Sequence, residues 1–288
     1  MSTFIASIGY GIVTAAVLAI ASVGFTLQFA VTNVLNLAFA AVMIASAYVA
    51  YLVNQAGVNV WVAMLPGIGA GAVLSVLLNQ VVYTPFRRRR ASPIALVIVS
   101  LGMTLIIEFT TQAVAGPTNV SYAMSQGATV GVGSFQLEVV QYAIIGISLL
   151  LMAGVHVLMT YTRLGKAMRA TAANRDLARS CGIRTSRVVT STWAISGALC
   201  GLAGVVFAMN SGTFGATSTD LFLVVILAAV FLGGPGEAYG AMVGALVIGL
   251  ATEMSASVIQ PDYKDVVAFL ILLVMMGLRP TGILGAPA

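Results

Sequence analysis

The chain has 288 residues, 60% of them hydrophobic and 7% charged, with a net charge of +5. Soluble globular chains carry about 25% charged residues, and so few charges cannot cover a water-facing surface of this size. Composition therefore excludes a water-soluble domain and points to an all-α, polytopic transmembrane helical bundle in a lipid bilayer.

A spanning helix needs about 20 mostly apolar residues, with a range of roughly 17–25. In chain order the predicted segments are 5–29, 31–53, 60–83, 93–115, 139–160, 188–209, 219–233, 238–257 and 264–278. The first lacks a basic N-terminal region and is expected to be a retained membrane segment rather than a cleaved signal. Gln28, Asn33 and Asn36 cluster at its junction with the second. The run 219–233 is short and ends at Gly233-Gly234-Pro235-Gly236-Glu237. Interrupted segments of this kind go part way across or pair around a cavity. The reading is about eight or nine membrane segments in a single domain, 1–288. The runs are continuous rather than alternating, so they do not read as strands.

Two basic loops and one basic terminus set the orientation. Arg87–Arg90, the segment 161–187 and Arg279 hold all the arginines. Short basic loops stay in the cytoplasm. Two spans separate the first pair and four separate the second, so all three landmarks agree. The polar, glycine-rich loop 116–138 is then outside, and Arg87–Arg90 read as a topology anchor.

Inside the runs, Gly67/Gly71, Gly197/Gly201 and Gly240/Gly244 stand four residues apart. That spacing lets helices approach closely in lipid. Glu108 and Glu253 fall within or near the ends of apolar runs, where ionisable groups are costly and become functional candidates; an interfacial position near the outer face is the plainer expectation for both. His156 reads as a packed or interfacial side chain. Cys181 and Cys200 lack the spacing of a metal site or disulfide. No nucleophile–base set stands out, so an enzyme is not indicated.

Residues 160–188 concentrate the charge. Arg163, Lys166, Arg169, Arg175, Arg179, Arg184 and Arg187 make seven of the 13 Lys and Arg, opposed only by Asp176. Asn174 is a good N-cap, and Asp176 puts negative charge in the first turn. Arg179 sits in the last turn, and Gly182 is a natural stop. The spacing predicts a helix of about two turns over 175–181, with Leu177, Ala178 and Cys181 on one face. A helix this short is unstable alone and needs a partner surface.

This segment resembles the cytoplasmic coupling loop of ABC importer permeases. More closely, it resembles the version in the permeases of branched-chain amino acid importers, the LivH/LivM group. Thr162, Arg163, Gly165, Arg169, Ala170, Ala172, Asn174, Ala178, Gly182 and Ile183 stand in the matching places. The Gly233-Gly234-x-Gly236 turn, Gly240-Ala241 and the closing Arg279-Pro280-x-Gly282 are also similar, and the resemblance runs from about residue 25 to the end. One departure stands in the first half. The family shows Asn-x-Ala-His-Gly where this chain has Asn36-Leu37-Ala38-Phe39-Ala40. If that region lines the path, its apolar wall favours an apolar solute.

The resemblance implies a permease subunit of an ATP-driven importer for branched-chain or similar hydrophobic amino acids. Asn174, Arg175, Asp176, Leu177, Ala178, Arg179, Cys181 and Gly182 would couple it to an ATPase. Asn33, Asn36 and Phe39 would belong to the translocation path. The implied partners are two ATP-binding cassette subunits, a second related permease and an external solute-binding protein, in the cytoplasmic membrane of a bacterium. The chain itself has no phosphate-cradling GxxxxGK followed by Ser or Thr, so no cofactor is expected. Urea, short amides or small carboxylates are the alternative solutes. A stand-alone secondary transporter or channel, with a purely topological basic loop, is the alternative class.

Overall fold

The computed structural model describes residues 2–124, 129–132, 135–257, 260, 263–279 and 281–285. Helices α1 (Ser2–Thr32), α2 (Phe39–Gln55), α3 (Val60–Leu77), α4 (Thr84–Arg88) and α5 (Pro93–Ala115) form the first half. A π-helical segment, Leu78–Tyr83, joins α3 to α4. Strands β1 (Thr129–Val132) and β2 (Phe135–Glu138) follow as an antiparallel pair, with Val132 opposite Phe135. The second half holds α6 (Val139–Tyr161), α7 (Arg163–Ala173), α8 (Arg175–Ser180), α9 (Thr185–Ser211), α10 (Asp220–Gly233), α11 (Ala238–Ser255) and α12 (Lys264–Leu278).

All nine predicted apolar runs are helical, and the fold is a helical membrane bundle. The count of eight or nine membrane segments is roughly supported by their lengths. Among the described residues six helices are long and apolar enough to cross a bilayer: 7–32, 60–88, 93–115, 139–161, 185–211 and 238–255. Helices α2, α10 and α12 have 17, 14 and 15 residues. At 1.5 Å per residue they rise only about 21–26 Å, short of a hydrocarbon core of about 30 Å. The second segment starts at Phe39, not at 31, because Asn33 to Asn36 leave the helix and Asn33 takes a φ of +50°. Within the outer loop β1 and β2 form a two-stranded antiparallel sheet, which the sequence did not indicate.

The small residues explain how the helices pack. A Cβ on Gly71 of α3 would lie 2.8 Å from the Gly201 Cα of α9 and against the Gly197 carbonyl. The two four-residue pairs therefore face each other. Gly240 and Gly244 of α11 similarly meet Gly233 and Ala229 of α10. Lipid supplies no hydrophobic drive between helices, so close backbone contact must provide the attraction. Helices α1 and α9 form the buried centre, whereas α5 and α6 show most of their surface.

The ends of the bundle differ in charge. Arg87, Arg88, Arg89, Arg175 and Arg179 line one cleft together. Arg169, Gly236, Glu237, Thr281 and Gly285 line another cleft at that end. Asn54, Asn59, Trp61, Ala123 and Val140 line a third at the opposite end. The basic end is the cytoplasmic one by the positive-inside rule.

Candidate functional site

The α8 helix is a closed local unit. Asn174 Oδ1 accepts from the backbone N–H of Asp176 at 3.1 Å and of Leu177 at 3.0 Å. At the other end the Ile183 N–H reaches the Ala178 carbonyl and the Gly182 N–H reaches the Arg179 carbonyl, both at 3.0 Å. This nested pair is the Schellman arrangement, which needs a residue with positive φ; Gly182 supplies a φ of +83°. Both helix ends are thus satisfied by the chain itself. The helix is one residue shorter than expected, with Cys181 as its C-cap.

Its predicted apolar face divides in two. Ala178 is 4% exposed, turned back toward the neighbouring α7 and α9. Leu177 is 61% exposed and Cys181 is exposed. Asn174, Asp176, Arg179 and Gly182 are also exposed, and Arg175 is half-buried. A single methyl thus seats the helix, while a leucine and a thiol point outward. Two helices lead from α8 into the bundle. Helix α7 is anchored by Met168, 1% exposed, and α9 enters through Val188 and Val189.

Arg87 does more than anchor topology. Its Nη2 donates to Asn79 Oδ1 at 3.1 Å, and it shares the basic cleft with Arg175 at the start of α8. The π-helical segment behind it carries Tyr83, fully buried. The Tyr83 hydroxyl donates to Asn36 Oδ1 at 2.6 Å, and its ring lies 5.0 Å from that of Trp193 on α9. Asn36 Nδ2 reaches Gln28 Oε1 at 3.5 Å, which also accepts from Ser196 Oγ at 3.3 Å. The break between α1 and α2 is therefore tied to α9 by a buried polar chain.

Asn36 is 2% exposed and Phe39 2% exposed. Phe39 packs edge-on against Phe25 with centroids 5.5 Å apart, and its carbonyl accepts from Cys200 Sγ at 3.1 Å. Asn33 is exposed and lines the cleft with Arg169 and Glu237. The structure brings Asn36 and Phe39 together in the core and leaves Asn33 at the cytoplasmic end. Tyr83 was missed by sequence reasoning, because a tyrosine ending an apolar run carries no signal for a π-helical turn. Pro280 of the closing motif lies outside the described residues.

The two acidic candidates differ. Glu253 accepts from Thr14 Oγ1 at 3.0 Å and pairs with Lys264 Nζ at 3.4 Å, so its charge is accounted for. Glu108 is 5% exposed and lies well inside α5 rather than at its end. His156 is exposed near the end of α6, with its Nδ1 2.8 Å from the Tyr239 hydroxyl. On the outer side, the Tyr122 hydroxyl donates to the Ala47 carbonyl at 2.9 Å, and burial pushes its phenol up.

Comparisons with known proteins agree with this architecture. A family model described as "Branched-chain amino acid transport system / permease component" matches residues 7–276. The chain is 28% identical to the high-affinity branched-chain amino acid transport system permease protein LivH of Salmonella typhimurium, over 96% of this chain and 94% of that protein. It is also 28% identical to BraD of Pseudomonas aeruginosa, with the same coverage. A probable LivH of Methanocaldococcus jannaschii is 27% identical over 93% of this chain and 88% of its own. Among solved structures, a chain of "PsaBC from Streptococcus pneumoniae in complex with Fab" superposes with a TM-score of 0.53 at 13% identity, over 94% of this chain and 91% of that one. That likeness concerns the fold alone.

Proposed function

This chain belongs to the branched-chain amino acid transport permease family, and from that premise we propose that its solute is a branched-chain or similar apolar amino acid. It moves that solute inward through the cytoplasmic membrane, the inner membrane of a bacterium, with energy from two separate ATP-binding cassette subunits. A second related permease completes the path, and an external binding protein delivers the solute to the outer loops.

The observation that carries this reading is α8. It is a capped helix at the cytoplasmic end, with Leu177 and Cys181 facing outward and α7 and α9 leading from it into the core. We assign Asn174 to Gly182 as the element that seats in an ATPase groove. Closure of the ATPase pair then pushes α8, and α9 transmits the shift through Trp193 and Ser196 to Tyr83, Gln28 and Asn36. The α1–α2 break serves as the hinge, because non-helical backbone yields more easily than helix. Asn33, Asn36 and Phe39 sit on that hinge, and its movement opens the path.

Co-purification tests the docking. The His-tagged permease, coexpressed with its ATPase, is expected to retain it in detergent, and deletion of residues 174–183 is expected to release it. Retention by the deletion variant sinks the docking assignment. Uptake of radiolabelled leucine by the reconstituted assembly tests the solute.

A further inference from the structure

The basic cleft at the cytoplasmic end gathers charge that the chain does not balance. Its volume is about 760 Å³, and Arg87, Arg88, Arg89, Arg175 and Arg179 line it together, with no carboxylate among the lining residues. Asp176 follows Arg175 in the chain, yet it pairs with none of the five. The one ion pair among the described residues joins Lys264 to Glu253, on other helices.

Three stretches of chain build this cleft. Arg87 to Arg89 come from the end of α4 and the residue after it, Arg175 and Arg179 from α8, and Ser186 and Thr190 from the first turns of α9. Arg87 is held in place, because its Nη2 donates to Asn79 Oδ1 at 3.1 Å. Its Nη1 is enclosed and has no partner. Arg88, Arg89 and Arg179 are exposed and Arg175 is half-buried. Like charges brought into one cleft repel, and an anion among them removes that cost. A guanidinium keeps its charge at neutral pH, and its planar fork fits the oxygens of a phosphate.

The level of the cleft selects the source of that phosphate. The span 60–88 ends at the cleft and the span 185–211 begins there. Two span ends mark the height where hydrocarbon gives way to headgroups. Apolar surface adjoins the charge. Val81, next to the lining residue Gln80, is 69% exposed, and Ile94, four residues after Arg90 at the start of α5, is 73% exposed. In a bilayer such faces meet acyl chains, so a ligand with a phosphate and an apolar tail satisfies both surfaces. Leu177 and Cys181, the outward residues of α8 assigned above to the ATPase, do not line this cleft.

We propose that the cleft binds the headgroup phosphate of an anionic phospholipid from the cytoplasmic leaflet. The phosphate lies among the arginines, and the acyl chains run beside Val81. Basic pockets between spans on the cytoplasmic side attract anionic headgroups in this way. Bound there, the lipid joins the α4 end to α8 and offsets the repulsion between them. The site goes beyond the transport reading and is independent of which solute is carried.

The test uses the whole assembly in neutral detergent, with its ATPases and partner permease, and a photoreactive phosphatidylglycerol as probe. Label is counted on this chain alone after denaturing separation. Unlabelled phosphatidylglycerol is expected to displace it, whereas phosphatidylcholine or inorganic phosphate at the same concentration is not. Arg88→Gln combined with Arg89→Gln should lower the displaceable label about tenfold or more, since each basic residue near the surface adds to the attraction. Arg87 and Arg90 stay in that variant to keep the loop positive. Arg184→Gln combined with Arg187→Gln removes the same charge from exposed residues outside the cleft and should leave the label near wild type. If the first double variant does not assemble, Arg89→Gln alone is read in its place, with a severalfold loss expected. Unchanged label in the cleft variant overturns the site, and so does an equal loss in the control variant. Displacement by phosphatidylcholine also overturns it. Displacement by inorganic phosphate assigns the cleft to a free anion and rejects the lipid. Label that appears on the isolated permease and vanishes in the assembly shows that the ATPase covers the cleft, which rejects the lipid as well.

Discussion

The Tyr83 hydroxyl donates to Asn36 Oδ1 at 2.6 Å, joining the π-helical turn after α3 to the break before α2. Both side chains are almost fully buried. The bond is made between groups that neither water nor lipid can serve, so its loss leaves a buried acceptor unsatisfied.

Tyr83→Phe keeps the ring on Trp193 and removes only this donor. The expected cost is about 1–3 kcal/mol, the penalty for an unsatisfied buried polar group. A lowered thermal midpoint in detergent, by intrinsic fluorescence, is the readout. An unchanged midpoint would show that the break is held by other contacts.

Gly71→Ala places a methyl against the Gly197 carbonyl and the Gly201 Cα. Backbone cannot move aside as a side chain can, so α3 and α9 must separate. A loss of about 1–3 kcal/mol is expected from overpacking, read by the same melting assay. Gly69→Ala is the control, because nothing lies within 4 Å of its Cβ.

The caps of α8 are separable from its exposed face. Asn174→Ala should weaken the helix by about 1 kcal/mol. Gly182→Ala forces a side chain to the φ of +83° and should cost about 1–2 kcal/mol. Both are expected to reduce ATPase stimulation by the loaded binding protein. Both should leave the melting midpoint near wild type, since α8 lies outside the core.

Leu177→Glu leaves the caps intact and changes only the outward face. Leucine at this position is 61% exposed, so the bundle itself should be unaffected. Release of the ATPase on a detergent column is the expected outcome. Retention with normal stimulation would show that Leu177 is not part of the contact.

Tyr122 predicts a pH effect with a definite sign. Its phenol is raised above the usual value of about 10 because the ring is buried. The folded state therefore keeps a proton that the unfolded state loses. This contribution is fully present below about pH 10 and is lost as pH rises through the folded value. The alkaline limb of a pH–stability curve should be shallower in Tyr122→Phe.

Much of the fold was legible because membrane helices carry strong signals. Continuous apolar runs located all nine segments, and the arginines fixed which end is cytoplasmic. Asn174 and Gly182 marked the limits of α8 from local backbone chemistry alone. Such rules act over one turn, so they need no knowledge of the rest of the chain. The extent of α2 was less clear, because Val34, Leu35 and Leu37 are apolar enough to continue a helix across the break.

What the sequence by itself determined was the class, the orientation and the local caps, all set by neighbouring residues. The tertiary structure decided which distant groups meet. It set Gly71 against Gly201 and Tyr83 on Asn36. It also turned Ala178 inward while leaving Leu177 outside. These pairings depend on how helices cross in a close-packed bundle. No single segment contains that information, because each helix presents several faces and only its neighbours choose among them.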